Sequence, residues 1–122
     1  PVSDPTPQLS DIHVSAWELQ LLTVLCGFVF TPEEPGKYTL RFENDGRLRG
    51  QSDCNTFTGT WALEESLVVT EFSSSRSLCV PGSIHNYYAL YLRAVNAMEW
   101  QGTDLVLRTP DEDVKLLFLR AP

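Results

Sequence analysis

The chain has 122 residues, of which 43% are hydrophobic and 20% are charged, and its formal net charge is −7. This length fits one domain, and the composition is that of an ordinary globular protein. Nucleic-acid binding needs clustered Lys and Arg to neutralise phosphates, whereas this chain has 9 basic residues against 16 acidic ones. A nucleic-acid partner and binding to an anionic membrane surface are therefore both disfavoured.

Residues 1–15 are predicted to form a tail or linker. The segment from Pro1 to Ser10 contains three prolines and no periodic apolar positions, which is typical of a tether rather than of a packed element. No apolar run reaches the roughly 18 residues of a membrane-spanning helix, and no basic leader of a signal peptide is visible. Residues 16–122 are predicted to form a single domain.

From Trp17 onward the pattern predicts a series of short strands. Trp17–Leu21 and Tyr38–Phe42 alternate apolar and polar residues, which is the period of a half-buried strand. Asn44-Asp45-Gly46 is a tight-turn signal, and it predicts a hairpin between Tyr38–Phe42 and Arg47–Ser52. Further strand-like segments lie at Leu22–Phe30, Gly59–Leu63, Leu67–Thr70, Glu99–Gln101, Asp104–Arg108 and Val114–Leu119. The total is about eight short strands, and their short connections require antiparallel pairing.

One segment has the period of a helix instead. Five apolar residues recur there at spacings of three and four positions: Ile84, Tyr88, Tyr91, Val95 and Met98. This stripe predicts a helix at about residues 83–97, with Ser83 as its N-cap, because the hydroxyl can accept from an otherwise unpaired backbone N–H. The predicted fold class is α+β, mainly β: a curved antiparallel sheet or partly closed β-barrel that wraps this helix.

Two cysteine-containing motifs carry a resemblance to a known family. The residues of the first motif are Asp45-Gly46, Gly50, Asp53-Cys54-Asn55 and Gly59. Those of the second are Ser75-Arg76-Ser77-Leu78-Cys79, followed by Val80-Pro81. With a tryptophan-led first strand, a late helix and a terminal hairpin, the chain resembles the META domain family, whose bacterial members are the HslJ-like heat-shock proteins. Asp53 stands where the family has glycine, although aspartate tolerates a positive φ better than most residues.

Cys54 and Cys79 occupy the two cysteine positions of the family. The resemblance implies an envelope setting, in which a disulfide between them is expected. The alternative is two reduced, buried cysteines that pack as small apolar residues. Cys26 lies inside an apolar run and is predicted to be a buried structural thiol.

Two interpretations of Asn55 and Arg76 stay open. In the functional one, they and their neighbours form a recognition surface. In the structural one, Asn55 hydrogen-bonds its own turn, while Arg76 joins the two motifs through Asp53 or a backbone carbonyl. Turn chemistry explains asparagine and glycine without a ligand and so favours the structural interpretation.

The sequence predicts no metal, cofactor or catalytic site. Cys54, Cys79 and His85 lack the close ligand-pair spacing of metal sites, and His85 is expected to be solvated, opposite the apolar stripe of the helix. Asp111-Glu112-Asp113 is expected to be a charged turn, because a calcium loop needs ligands spread over a longer segment. The serines at 73–77 stand in no G-x-S-x-G context. No enzyme activity is therefore predicted.

The resemblance implies a non-catalytic module of the bacterial envelope, periplasmic or outer-membrane-associated, that contributes to stress tolerance through an envelope protein partner or as a structural support. Residues 1–15 would suit a tether to the membrane from a removed, lipidated leader, and a monomer is expected. The alternative is a barrel-like protein that holds a small apolar ligand or lipid chain. A pocket of at least about 300 Å³ between helix and sheet would favour that alternative, whereas a core filled by side chains would count against it.

Overall fold

The computed structural model describes residues 12, 16–24, 27–32, 34–63, 66–110 and 114–121. Its elements are β1 (Trp17–Val24), β2 (Phe28–Phe30), a 3₁₀ turn (Pro35–Lys37), β3 (Thr39–Phe42), β4 (Arg47–Ser52), β5 (Asn55–Leu63), β6 (Leu67–Ser74), α1 (His85–Leu92), β7 (Ala97–Gln101), β8 (Asp104–Arg108) and β9 (Val114–Arg120). In this part of the chain the strands form one antiparallel sheet in the order β6-β5-β4-β3-β1-β9-β8-β7, with β2 paired to β1. The result is a curled half-barrel with one helix, which confirms the predicted fold class.

The hairpin predicted at Asn44-Asp45-Gly46 joins β3 to β4. The N–H of Gly46 donates to the carbonyl of Glu43 at 3.1 Å, and the Asp45 carboxylate accepts from the backbone N–H of Arg47 at 3.0 Å. Gly46 has a φ of +91°, a conformation that costs glycine little because it has no Cβ. The turn is therefore specified by its own residues.

Two further motif glycines serve close packing within the sheet. A Cβ at Gly50 would overlap the carbonyl oxygen of Thr39 and lie 2.6 Å from Cζ of Phe57, so only glycine lets the Phe57 ring cross β4. Gly59 lies opposite a β-bulge, because Thr58 pairs with Ser73 while Thr60 pairs with Thr70. Such an extra residue bends a strand and increases its twist, and here it curls the β5–β6 side of the sheet.

Tyr88 lies at the centre of the contact between helix and sheet. It is fully buried, and its ring centroid lies 5.6 Å from that of Tyr38, 6.0 Å from that of Phe57 and 6.3 Å from that of Phe118. Its hydroxyl donates to the carbonyl of Thr39 at 2.9 Å. Because a buried hydroxyl without a partner is costly, this bond fixes how deeply α1 sits against β3.

The N-terminal end of α1 differs slightly from the prediction. The helix begins at His85, and Ile84 occupies the N-cap position. The Ser83 hydroxyl nevertheless accepts from the N–H of His85 at 3.2 Å. The N–H of Ile84 donates to the Tyr38 hydroxyl at 3.0 Å, so the sheet itself supplies part of the cap.

The C-terminal end shows that the predicted helix at 83–97 was too long. The helix ends at Leu92, because the N–H of Asn96 already donates to the carbonyl of Arg108 at 2.9 Å. Met98, the last residue of the predicted stripe, consequently lies in β7. Leu92, which the stripe left out, is fully buried.

One residue of the predicted tail takes part in the core. Ile12 is fully buried, and its carbonyl accepts from the indole N–H of Trp17 at 3.3 Å. The packed unit therefore reaches at least to Ile12. The rest of the predicted tail at 1–15 lies outside the described residues.

Burial raises the pKa of Tyr88 well above its usual value of 10.0. The unfolded chain therefore releases the Tyr88 proton at a lower pH than the folded protein does. The contribution of the protonated Tyr88 hydroxyl to the free energy of unfolding is fully present below about pH 10, and it is lost as the pH rises toward the folded-state pKa. We expect the free energy of unfolding to fall above pH 10 by up to about 1.4 kcal/mol per pH unit from this group. Tyr88→Phe should flatten that slope in urea titrations, whereas Tyr87→Phe, at an exposed position, should leave it unchanged. Equal slopes in the wild-type protein and Tyr88→Phe would contradict this expectation.

Candidate functional site: a clasp between two loops

The two sequence motifs meet in space and form what we call the clasp, residues 53–55 and 75–79. Its first half lies at the tip of the β4–β5 hairpin, and its second half follows β6. A disulfide joins Cys54 to Cys79, with 5.6 Å between their Cα atoms. The pairing expected from the resemblance is therefore present.

Asn55 is the buried centre of the clasp. It is fully inaccessible to solvent, and its carbonyl oxygen accepts from the N–H of Ser77 at 2.7 Å and from the Ser75 hydroxyl at 2.9 Å. Its amide nitrogen donates to the carbonyl of Ser77 at 3.1 Å. Asn55 thus binds mainly the opposite loop. In its own turn, where the structural interpretation placed its hydrogen bonds, it has one contact, from the amide nitrogen to Sγ of Cys54 at 3.7 Å.

Ser75 extends the clasp into the sheet. The N–H of Ser75 donates to the carbonyl of Thr56 at 2.9 Å, and its hydroxyl accepts from the N–H of Thr56 at 3.0 Å. The pairing of β5 with β6 therefore continues past the end of β6 and leads directly into the disulfide-bonded loop.

Asp53 adopts a left-handed backbone conformation, which glycine favours, with a φ of +56°. Its N–H donates to the carbonyl of Lys37 at 2.6 Å, and its largely buried carboxylate lies 3.8 Å from the Lys37 ammonium. A positive φ is a strained state for a residue with a Cβ. Two contacts to the 3₁₀ turn hold it in place.

Arg76 does not join the two motifs as predicted. Its side chain is exposed, and Asp53 pairs with Lys37 instead. Among the described residues Arg76 forms no hydrogen bond or ion pair. Asn55 and the disulfide connect the two halves of the clasp instead, and the Arg76 guanidinium is available to solvent.

His85 is not the freely solvated residue that the sequence suggested. It is half-buried, and its Nδ1 lies 2.8 Å from the hydroxyl of Ser52. Ser52 is fully buried at the end of β4, so this contact joins the start of α1 to the same hairpin tip that carries the clasp. A histidine–serine pair 33 residues apart has no local signal, and sequence reasoning missed it.

An open groove of about 710 Å³ runs between the residue 72–83 segment and α1. We call it the clasp groove. Leu78 is fully exposed, Val80 is 66% exposed and Leu90 is 55% exposed, and all three line the groove. Arg76 and Arg93 also line it, and the Arg93 guanidinium lies 4.9 Å from the ring centroid of Phe72.

The other motif residues lie elsewhere. Asp45 and Gly59 border a second concavity of about 600 Å³ on the outer side of β4, β5 and β6. Four of its charged residues form pairs: Arg49 lies 2.6 Å from the Glu43 carboxylate, and Arg47 lies 3.6 Å from that of Asp45. The motif residues are thus divided between a turn, a packed sheet and the clasp.

A metal site and a membrane-spanning helix each require an arrangement that the described residues lack. Within the described ranges, no three His, Cys, Asp or Glu residues are placed to hold a metal ion, and Cys54 and Cys79 are used by the disulfide. In the same ranges, no helix has both the length and the apolarity to cross a membrane. Cys26 and Asp111-Glu112-Asp113 lie outside the described residues.

The described residues form a small, mainly β domain: a curled antiparallel half-barrel whose helix and clasp meet at one hairpin tip. The model of the META domain family matches residues 10–122. The chain belongs to the META domain family.

Two solved structures share this fold. One is the NMR structure of a protein from Burkholderia xenovorans, with a TM-score of 0.75, 20% identity, and coverage of 99% of this chain and 98% of that one. The other is the crystal structure at 1.00 Å resolution of a DUF4847 family protein from Bacteroides vulgatus, with a TM-score of 0.65, 13% identity, and coverage of 89% and 94% respectively. At such identities the likeness shows the fold alone. A comparison with curated proteins finds no match.

The disulfide should account for a large share of the stability. Its cysteines are 25 positions apart, and closing such a loop stabilises the folded state by about 3.5 kcal/mol in the chain-entropy model. We expect Cys54→Ser/Cys79→Ser to lose about that much free energy of unfolding in urea, and to become insensitive to reductant. Alkylation under denaturing, non-reducing conditions should label one cysteine per wild-type chain. Two or more labels would show that the bridge is absent in solution.

The substitution Asn55→Asp removes the hydrogen bond that the Asn55 amide donates to the Ser77 carbonyl, and so tests how much that bond stabilises the fold. The carboxylate keeps acceptors for Ser75 and Ser77 but loses the bond to the Ser77 carbonyl and places a charge in a buried site. We expect a loss of about 2–3 kcal/mol in the free energy of unfolding. Asn44→Asp makes the same chemical change in an exposed turn and should change stability by less than about 0.5 kcal/mol. Similar losses in the two variants would contradict the assigned role.

Proposed function

We propose that the protein is a non-catalytic, HslJ-like module of the bacterial cell envelope, and that it contributes to stress tolerance by binding a protein partner at the clasp groove. The observation that carries this proposal is the exposure of Leu78, Val80 and Leu90 along one groove. Single exposed apolar residues are ordinary on protein surfaces, but grouped ones mark interaction sites.

The rigidity of the groove wall supports a recognition role. Leu78 lies between Ser77, which Asn55 holds by two hydrogen bonds, and Cys79, which the disulfide holds. The chain is therefore held on both sides of Leu78, while the Leu78 side chain itself is fully exposed and is not part of the core. Little backbone freedom is lost at this position on binding, which favours affinity.

The envelope setting is supported by the disulfide and by the family. Disulfides persist in oxidising compartments such as the bacterial periplasm, and Cys54 is exposed to solvent, where a reducing cytosol would act on it. Membership in the META domain family agrees with this location. A tether through the residues before Ile12 belongs to the same proposal, and so does the monomeric state.

The burial of Ser52 supports the proposal that the protein is not an enzyme. Ser52 and His85 are the described pair closest to a nucleophile–base arrangement, with 2.8 Å between their polar atoms. A nucleophile must reach its substrate, and Ser52 has no solvent-accessible surface. This pair therefore serves to fix α1 on the hairpin.

The alternative function, binding of a small apolar ligand inside the barrel, finds less support. The interior of the half-barrel beneath the buried face of α1 is filled by Tyr88 and the aromatic rings around it. The clasp groove is large enough for a small ligand, but it is open and carries charged as well as apolar residues. Native mass spectrometry of protein from its own host would favour the alternative if a ligand were retained.

The proposal is tested by photo-crosslinking in the native host, with a photoreactive amino acid placed at Leu78. We expect a discrete adduct with one protein, recovered in the envelope fraction and increased after heat shock. Val29 on β2 is the matched control, since it is apolar and 59% exposed and lies outside the clasp groove; it should give no such adduct. Equal adducts at both positions, no adduct at position 78, or recovery in the cytosolic fraction would contradict the proposal.

A further inference from the structure

We propose that the partner enters the clasp groove as an extended, acidic segment of polypeptide, which adds a strand to the free edge of β6. This inference rests on the proposed function, and it specifies the chemistry and geometry of the bound segment.

The edge of β6 is the first support. β6 stands at the end of the strand order and pairs with β5 on one side. On its other side, in the described part of the chain, one backbone bond is formed, from the N–H of Leu67 to the carbonyl of Asn96 at 3.0 Å. Past the bulge at Glu71 and Phe72, where the strand borders the groove, the edge presents backbone groups to which another strand can bind.

The groove beside this edge has the shape that such a strand requires. Phe72, Ser73 and Ser74 of β6 form one wall, and Ala89 and Leu90 of α1 belong to the facing wall. An edge strand that faces a helix across a groove is the arrangement in which several peptide-binding domains accept an added strand. Backbone hydrogen bonds would supply affinity, and the walls would select side chains.

The charges of the groove determine which peptide fits. The chain has a net charge of −7, yet the ionisable side chains lining the described groove are Arg76, Arg93 and His85, with no Asp or Glu among them. Guanidinium groups bind carboxylates in a directed, bidentate manner. An acidic segment is therefore attracted here, and a basic one is not.

The same charges argue against an anionic membrane as the occupant. Charges interact within about 8–10 Å at physiological ionic strength. A short peptide inside the groove lies against Arg76 and Arg93, while the neighbouring Glu71 of β6 lines the other concavity. A flat lipid surface would also face the acidic remainder of the chain. Leu78, Val80 and Leu90 then provide contacts for the apolar residues that alternate with the acidic ones in an extended strand.

The experiment follows amide chemical shifts of the ¹⁵N-labelled, oxidised full chain during titration with an acetylated and amidated peptide of four Glu-Val repeats. We expect saturable shifts at 72–74 and 89–93. Arg76→Glu/Arg93→Glu should weaken binding at least tenfold. Arg47→Glu reverses an exposed charge at the other concavity and should leave the affinity unchanged.

Two further probes separate strand addition from simple charge attraction. A peptide of four Lys-Val repeats should cause no shifts in the groove. The Glu-Val peptide with alternate backbone amides N-methylated keeps its charge but loses strand hydrogen bonds, and it should bind at least tenfold more weakly. Unchanged affinity of the methylated peptide, shifts outside the groove, or no binding by the Glu-Val peptide would overturn the inference.

Vesicles of phosphatidylglycerol test the other class of occupant. We expect no shifts in the groove on their addition; groove shifts with vesicles but not with the peptide would assign the site to a lipid surface and overturn the inference. If crosslinking at Leu78 succeeds while the peptide fails, the interaction function stands and strand addition is wrong. If crosslinking fails as well, both are wrong.

Discussion

The buried amide of Asn55 is the interaction on which the arrangement of the clasp depends. It satisfies the N–H and the carbonyl of Ser77 together and also accepts from the Ser75 hydroxyl. Such groups are costly to leave unpaired when water is excluded. The disulfide restricts the same loop from Cys54, the residue immediately before Asn55. It limits how far the loop can move, whereas the amide determines which backbone conformation it adopts.

The second wall of the groove is positioned by the same hairpin. α1 contacts β4 through His85 and Ser52, and it contacts the neighbouring β3 through the Tyr88 hydroxyl and the Thr39 carbonyl. Both walls therefore take their position from β3, β4 and the start of β5. Gly50 contributes because its missing Cβ lets Phe57 lie across β4, and Phe57 in turn contacts Tyr88. Packing in the core and the shape of the surface groove are thus physically linked.

The sequence could predict whatever depends on local pattern. The alternation of Trp17–Leu21 and the turn at Asn44-Asp45-Gly46 predicted strands and a hairpin, because side-chain period and turn chemistry act over a few residues. It could not predict the partner of Asn55, which lies 22 residues away, since a bond from a side chain to a distant backbone leaves no periodic trace. The helix was predicted too long for a similar reason: Asn96 is withdrawn from it by β8, a tertiary effect that outweighs an apolar stripe.

Asp53 shows that the clasp accommodates a residue with a Cβ at a positive φ. The motif has glycine at this position, and a Cβ at a φ of +56° costs on the order of 1 kcal/mol. The bond to the Lys37 carbonyl does not require a side chain, so it is available to glycine and aspartate alike. The carboxylate adds a nearby partner in the Lys37 ammonium, which partly offsets the strain. With this φ, Cys54 faces Cys79 and Asn55 reaches Ser77. The clasp thus depends on the backbone conformation at residue 53 and not on glycine itself.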